Sequence, residues 1–222
     1  MADSTRANWR AADEFLAETL VGHDPALEAA LAAQAAAGLP AIEVAPVGGK
    51  LLDLLVRISG ARRILEIGTL GGYSTIWLAR AVGEGGTVVT IEAEPDNAAV
   101  ARANLDAAGV GERVEIRIGR AAEVLPILDG GEPFDLVFID ADKESNTLYL
   151  DWAARLGRRG TVVVVDNIGR DGEIVHADSE DPKVRGTREG LEMLGRDPRF
   201  DATALQTVGV KGWDGIAIAL VV

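Results

Sequence analysis

The sequence contains no cysteine, which removes disulfides, thiolate metal sites and cysteine nucleophiles together. Histidine is nearly as scarce: His23 and His176 are the only two, which argues against a histidine-rich zinc site. Positive charge is short as well, with 22 Lys and Arg against 35 Asp and Glu and a formal net charge of −13. Such a chain repels nucleic acid and anionic lipid at long range, and the one mildly basic stretch is RVEIRIGR over 113–120. No uncharged apolar run approaches the roughly 20 residues that cross a bilayer. The segment MADSTRANWRAADEFLAETL carries acids throughout and lacks the apolar stretch of a signal peptide. These absences predict a soluble, cytoplasmic protein whose partner is a small molecule.

What is present suffices for one large domain over 1–222, since 48% of the 222 residues are hydrophobic. Residues 3–37 read as two helices. Phe15, Leu16 and Leu20 form an apolar stripe, and DPALEAALAAQAAAG opens with Asp24 as N-cap and Pro25 at the first helical position. Alanine-rich helices bury little area each, so the extension over 1–38 is expected to pack on the main body or on a second subunit. LPAIEVAP, 39–46, reads as extended, and Leu51, Leu52, Leu55 and Val56 then repeat at helical spacing.

From residue 62 strand-like and helical stretches alternate. Strands are expected at 62–67, 87–92, 113–118, 134–139 and 161–165, with helices at 73–82, 95–108, 121–128 and 145–156. This rhythm predicts βαβ units and a mostly parallel sheet covered on both faces. At the end ALQTV (204–208) and GIAIALVV (215–222) are joined by GVKGWD, too short for a parallel crossover, so an antiparallel pair is expected. The sequence has no internal repeat and no low-complexity linker.

Ligands of open α/β sheets bind beyond the carboxyl ends of the strands, and there this chain abruptly becomes polar. FDLVFIDADKESN runs an apolar strand straight into Asp140, Asp142 and Lys143, and TVVVVDN does the same at Asp166 and Asn167. Earlier, LEIGTLGGYS is a glycine-rich strand-to-helix turn in which Gly68, Gly71 and Gly72 let a ligand approach the backbone. Their spacing does not fit G-x-G-x-x-G. Glu92, about two dozen residues on, is placed where a carboxylate can accept both hydroxyls of a ribose. Asp140, Asp166 and Asn167 form a hard-oxygen set suited to Mg²⁺, with Mn²⁺ or Ca²⁺ as alternatives. A second reading has Asp140 touching the cofactor and Asp166 capping a turn; the spacing leaves both open. Lys143 reads either as a solvated lysine or as a general base.

With those motifs in view, residues 40–222 resemble the cation-dependent O-methyltransferases, the group that contains catechol and caffeoyl-CoA O-methyltransferases. The resemblance is carried by GARRILEIGTLGGYSTIWLA, TIEAEP, GRAAEVLP, FDLVFIDADK and VVVVDN, in that order. It implies a seven-stranded Rossmann-like fold, S-adenosylmethionine as methyl donor and a small aromatic hydroxyl acceptor. It also implies that Glu66, Gly68, Gly72, Tyr73, Ser74 and Glu92 bind the donor, with Val44 near its methionine end and Ala121 near adenine. Asp140 would face both donor and metal, Asp166 and Asn167 would complete the metal set, and Lys143 would be the base. Homodimers through the N-terminal helices are implied as well. The chain departs from the pattern at Asn146, where many relatives carry Tyr, and around LQTVGVKGWDG, where the catechol-holding carboxylate of the animal enzymes has no clear counterpart. The loop GRDGEIVHADSEDPKVRG, 169–186, is unusually acidic. Rival readings are a nicotinamide-dependent oxidoreductase, a tRNA-modifying relative and a non-catalytic member of the fold. The glycine spacing, the net charge and the presence of Asp140, Lys143, Asp166 and Asn167 weigh against them in turn.

Overall fold

The computed structural model describes residues 2–222, with side chains from residue 5 onward. Strands β1 (Arg63–Ile67), β2 (Thr87–Glu92), β3 (Val114–Ile118), β4 (Leu136–Ile139), β5 (Val162–Asp166), β6 (Phe200–Gly209) and β7 (Gly212–Val221) form one sheet. Its order is β3-β2-β1-β4-β5-β7-β6. The first five strands are parallel, and β7 runs antiparallel to both β5 and β6. The helices are α1 (Ala2–Leu16), α2 (Pro25–Ala36), α3 (Pro46–Ser59), α4 (Tyr73–Ala81), α5 (Pro95–Ala107), α6 (Ala121–Val124), α7 (Asn146–Leu156) and α8 (Pro182–Arg196). A π-helical turn, Ala17–Val21, extends α1.

Alternate residues of each parallel strand go to opposite faces, as the two-residue period demands. Ile64, Val88, Leu136, Phe138 and Val164 pack with Leu27, Leu52, Ile76 and Leu105 of α2 to α5. Leu65, Val89, Val137, Ile139 and Val163 pack with Val124, Leu150, Ala153 and Leu194 of α6 to α8. Both faces are therefore covered, and each fully buried Leu, Ile or Phe contributes about 1.5–3 kcal/mol. The expected Asp24 cap is present: its Oδ1 accepts from Ala26 N at 3.1 Å and Leu27 N at 3.2 Å, ahead of Pro25. Arg80 on α4 grips the same carboxylate at 2.6 Å, which fastens α2 to the body.

Three elements differ from expectation. The stretch expected as one helix over 121–128 is α-helical only through Val124 and continues as a 3₁₀ turn, Leu125–Leu128, with Pro126 near its start. The hairpin strands are longer than 204–208 and 215–222, closing through a two-residue turn at Val210 and Lys211 so that Gly209 pairs with Gly212. The acidic loop is also shorter, because Asp181 caps α8 at Lys183 N and Pro182 begins it. Gly186 and Gly190 hide α8 in the sequence, yet both are contact points. A Cβ at Gly186 would stand 2.3 Å from the carbonyl oxygen of Lys143, and one at Gly190 would stand 3.0 Å from Asn146 Cβ. The chain moves outward from β1 to β2 and β3, then returns to β4 on the other side of β1. The resulting crevice opens at the carboxyl ends of β1 and β4.

Candidate active site

Gly68 is where β1 leaves the sheet, and its φ of 101° lies in the region L side chains avoid. A Cβ there would stand 2.1 Å from the carbonyl oxygen of Asp140, so glycine alone lets the ends of β1 and β4 meet. Asp140 N in turn donates to Ile67 O at 2.9 Å. Gly72, with φ 83°, turns the chain into α4, and Leu70 between them is left-handed at φ 50° despite its side chain. Glu92 holds that turn in place. Its Oε2 accepts from Leu70 N at 2.7 Å and Thr69 N at 3.3 Å, and its Oε1 from Glu94 N at 3.0 Å and Asn97 Nδ2 at 3.3 Å. Gly119 N donates to Glu92 O at 2.8 Å, which brings the end of β3 and the buried Ala121 alongside.

Glu66 lies beneath this turn and is wholly buried. Ser74 Oγ donates to its Oε1 at 2.7 Å; Thr75 Oγ1 and Thr90 Oγ1 donate to its Oε2 at 2.5 and 2.7 Å. Burial pushes its carboxyl up to about 7 although the three hydroxyls pull the other way, and the charge of Asp140 adds to the rise. Glu66 and Ser74 thus brace each other inside the fold. Tyr73 likewise turns its ring into the core shared with α2 to α5. Burial raises its phenol, with the Glu43 and Asp24 carboxylates adding to the effect. Val44 is half-buried just ahead of α3.

The other side of the crevice is acidic. Register sets Ile139 beside Val165, so Asp140 and Asp166 emerge at the same level. Lys143, in the 3₁₀ turn Lys143–Ser145, donates to Asp140 Oδ1 at 2.8 Å with its side chain only 8% exposed. Breaking one half of so buried a pair strands the other charge. Asp142 points elsewhere, accepting from Ser145 Oγ and from Tyr149 Oη. The Asp166 carboxyl is raised to about 7, first by burial and then by the facing Asp140 charge, with Asp214 adding to the rise and the Asn167 N–H, at 2.8 Å, and Lys143 opposing it. Asn167 follows in left-handed backbone, φ 59°.

Asp214 escaped the sequence reading. Its Oδ1 accepts from Gly169 N at 2.8 Å, Arg170 N at 3.3 Å and Gly215 N at 2.9 Å, fixing the turn beyond Asn167. It lies in the GVKGWDG stretch, where the catechol-holding carboxylate of the animal enzymes has no clear counterpart, 45 residues from Gly169, and no local spacing signals the contact. Thr75 and Thr90 escaped too. The structure thus brings Gly68, Gly72, Glu92, Asp140, Lys143, Asp166 and Asn167 to one end of the sheet. Among the described residues, no group of three or more His, Cys, Asp or Glu is arranged to hold a metal.

Three comparisons bear on this geometry. The sequence profile of the O-methyltransferase family matches residues 18–221. The chain is similar to a catechol O-methyltransferase of Mycobacterium tuberculosis, 60% identical over 209 residues and covering 94% of each protein. It is 49% identical over 211 residues to a catechol O-methyltransferase of Niastella koreensis, covering 94% of this chain and 96% of that one. Among solved structures, the O-methyltransferase of Bacillus cereus in complex with SAH superposes with a TM-score of 0.95. The two are 50% identical, over 97% of this chain and 99% of that one.

Proposed function

The chain belongs to the O-methyltransferase family, and on that premise we propose that it transfers a methyl group from S-adenosylmethionine to a hydroxyl of a catechol-like aromatic held by a divalent cation. The observation that carries the reading is the double placement of Asp140. Its backbone closes the glycine turn at Gly68, while its carboxylate meets Lys143 and faces Asp166. Donor and acceptor would then lie on either side of one residue.

S-adenosylmethionine supplies a methyl group already activated on sulfur, so the chain's task is alignment. The glycine turn would receive the donor, with Glu92 accepting the ribose hydroxyls. Glu92 carries four donors without a ligand, so ribose would exchange the two weakest contacts, Thr69 N and Asn97 Nδ2, both at 3.3 Å, for hydroxyl bonds. Asp140, Asp166 and the Asn167 amide would hold the cation. They fit a hard cation because two carboxylates repel each other there, and that repulsion helps raise Asp166. A divalent cation, Mg²⁺ first and Mn²⁺ or Ca²⁺ next, supplies charge that lowers the pKa of the acceptor hydroxyl. Lys143 would take the proton. To do so, Nζ must first give up a proton, to solvent or to the Asp140 carboxylate it now donates to, before it can accept the one from the acceptor hydroxyl.

The N-terminal helices are read as the contact between two copies, for which the outward-facing Phe15 and Leu20, 63% and 65% exposed, supply the apolar surface. The test is methyl transfer from S-adenosylmethionine to a panel of catechols with EDTA, then with Mg²⁺ or Mn²⁺ restored. Activity is expected to vanish and return, and Asp166→Ala should abolish the return while leaving S-adenosylhomocysteine binding in place. Full transfer by that variant in chelator would defeat the cation reading. A melting-temperature rise with NAD and none with S-adenosylhomocysteine would defeat the donor.

A further inference from the structure

A run of polar contacts outside the proposed reaction links the hairpin tip to the glycine turn. Lys211 donates to Glu43 Oε1 at 2.7 Å and to Ala41 O at 3.0 Å. The other Glu43 oxygen accepts from Gln34 Nε2 at 2.7 Å, and the same amide donates to Pro40 O at 3.0 Å. Gln34, near the end of α2, is 3% exposed. A Cβ on Gly71 would stand 2.5 Å from its Oε1, so the glycine turn rests directly on this side chain. Asn104 Nδ2 also donates to the Gly71 carbonyl at 2.8 Å and reaches Ala30 O of α2 at 3.3 Å.

The hairpin tip is anchored too. Asp13 of α1 accepts from Val210 N at 2.9 Å, and Gly209 leaves room for that carboxylate. Three residues after Lys211, Asp214 fixes the turn at Gly169 and Arg170. The tip and the acidic side of the crevice are therefore joined by backbone. Burial works against ionisation of Glu43, but its bonds to Lys211, to its own N–H and to Gln34 outweigh that and hold the carboxyl below its usual range.

We propose that Glu43 is a positioning residue that couples the acidic side of the crevice, through Lys211 and the hairpin tip, to the donor turn at 69–72, through Gln34. What the two sides bind rests on the methyltransferase reading; the coupling does not. Glu43 and its neighbours over 40–45 lie between the hairpin tip and Gln34, and Lys211 is their only ionic fastening among the described residues. Releasing the fastening frees Gln34 to shift and loosens the turn that rests on it, which Lys211 does not touch.

Amide hydrogen exchange on the ligand-free wild type, Lys211→Met and Glu43→Gln tests this, since exchange reports local opening segment by segment. Residues 69–72 are expected to exchange about threefold faster or more in both variants, together with 40–45. Acceleration confined to 40–43 and 209–213 would overturn the coupling. Calorimetry with S-adenosylhomocysteine should show binding weaker by about three- to tenfold in Lys211→Met, restored in Lys211→Arg. Unchanged affinity in Lys211→Met would count against it, as would additive losses in the double variant, because residues acting through one contact are not additive. Failure of the wild type to bind S-adenosylhomocysteine would defeat the methyltransferase reading, while the exchange pattern would still decide the coupling.

Discussion

Replacing Glu66 by Gln should change how stability responds to pH more than it changes stability at any one pH. The carboxyl sits at about 7 in the folded protein against an ordinary 4.5, chiefly through burial. Between those values the folded chain binds a proton that the unfolded chain has released, so stability falls as pH rises from about 4.5 and levels off above about 7. The gap of about 2.5 pH units is worth ~3.5 kcal/mol at ~1.4 kcal/mol per unit. Gln has the same shape and no titration. Its carbonyl can keep the hydroxyls of Thr75 and Thr90, and its amide can donate to Ser74 Oγ, since hydroxyls both give and accept. Urea unfolding of both proteins at pH 5, 6, 7 and 8 isolates the effect, because the other titrating groups cancel in the difference. The variant should be the less stable protein at pH 5 and gain on the wild type by ~2–3 kcal/mol by pH 8. Parallel profiles would show that Glu66 ionises normally inside the fold, and that burial does not govern it.

Gly68→Ala forces a Cβ against the Asp140 carbonyl at a left-handed φ, and should cost roughly 2–4 kcal/mol, seen as a lower urea midpoint. An unchanged midpoint would mean that the ends of β1 and β4 do not abut. Glu92→Ala removes the acceptor for the Thr69 and Leu70 amides and for the proposed ribose hydroxyls. Calorimetry should show S-adenosylhomocysteine binding weaker by about 10- to 100-fold; wild-type affinity would separate Glu92 from the donor site.

The parallel sheet was legible from local pattern alone. Strand-length apolar runs alternating with helical stretches admit few arrangements, and an apolar run that ends in Asp140 or Asp166 marks where a strand leaves the sheet. The Asp24-Pro25 helix start was legible for the same reason, since a cap acts on its own first turn. α8 was not, because its glycines and charges weaken the helical pattern, and their use appears only where the helix touches Lys143 and Asn146. The length of the final hairpin depended on pairing that continues to Gly209 and Gly212. Glu66 shows most clearly what the chain conceals. Read along the sequence it is one strand-end acid among several, yet register sets it opposite Thr90 and α4 brings Ser74 and Thr75 onto it, so it turns inward as a brace. Asp214 and the contacts between Lys211, Glu43, Gln34 and Gly71 are of the same kind. Residues near in sequence interact through geometry the local backbone dictates, whereas these partners meet only after strand register and helix docking have been settled by burial of the core.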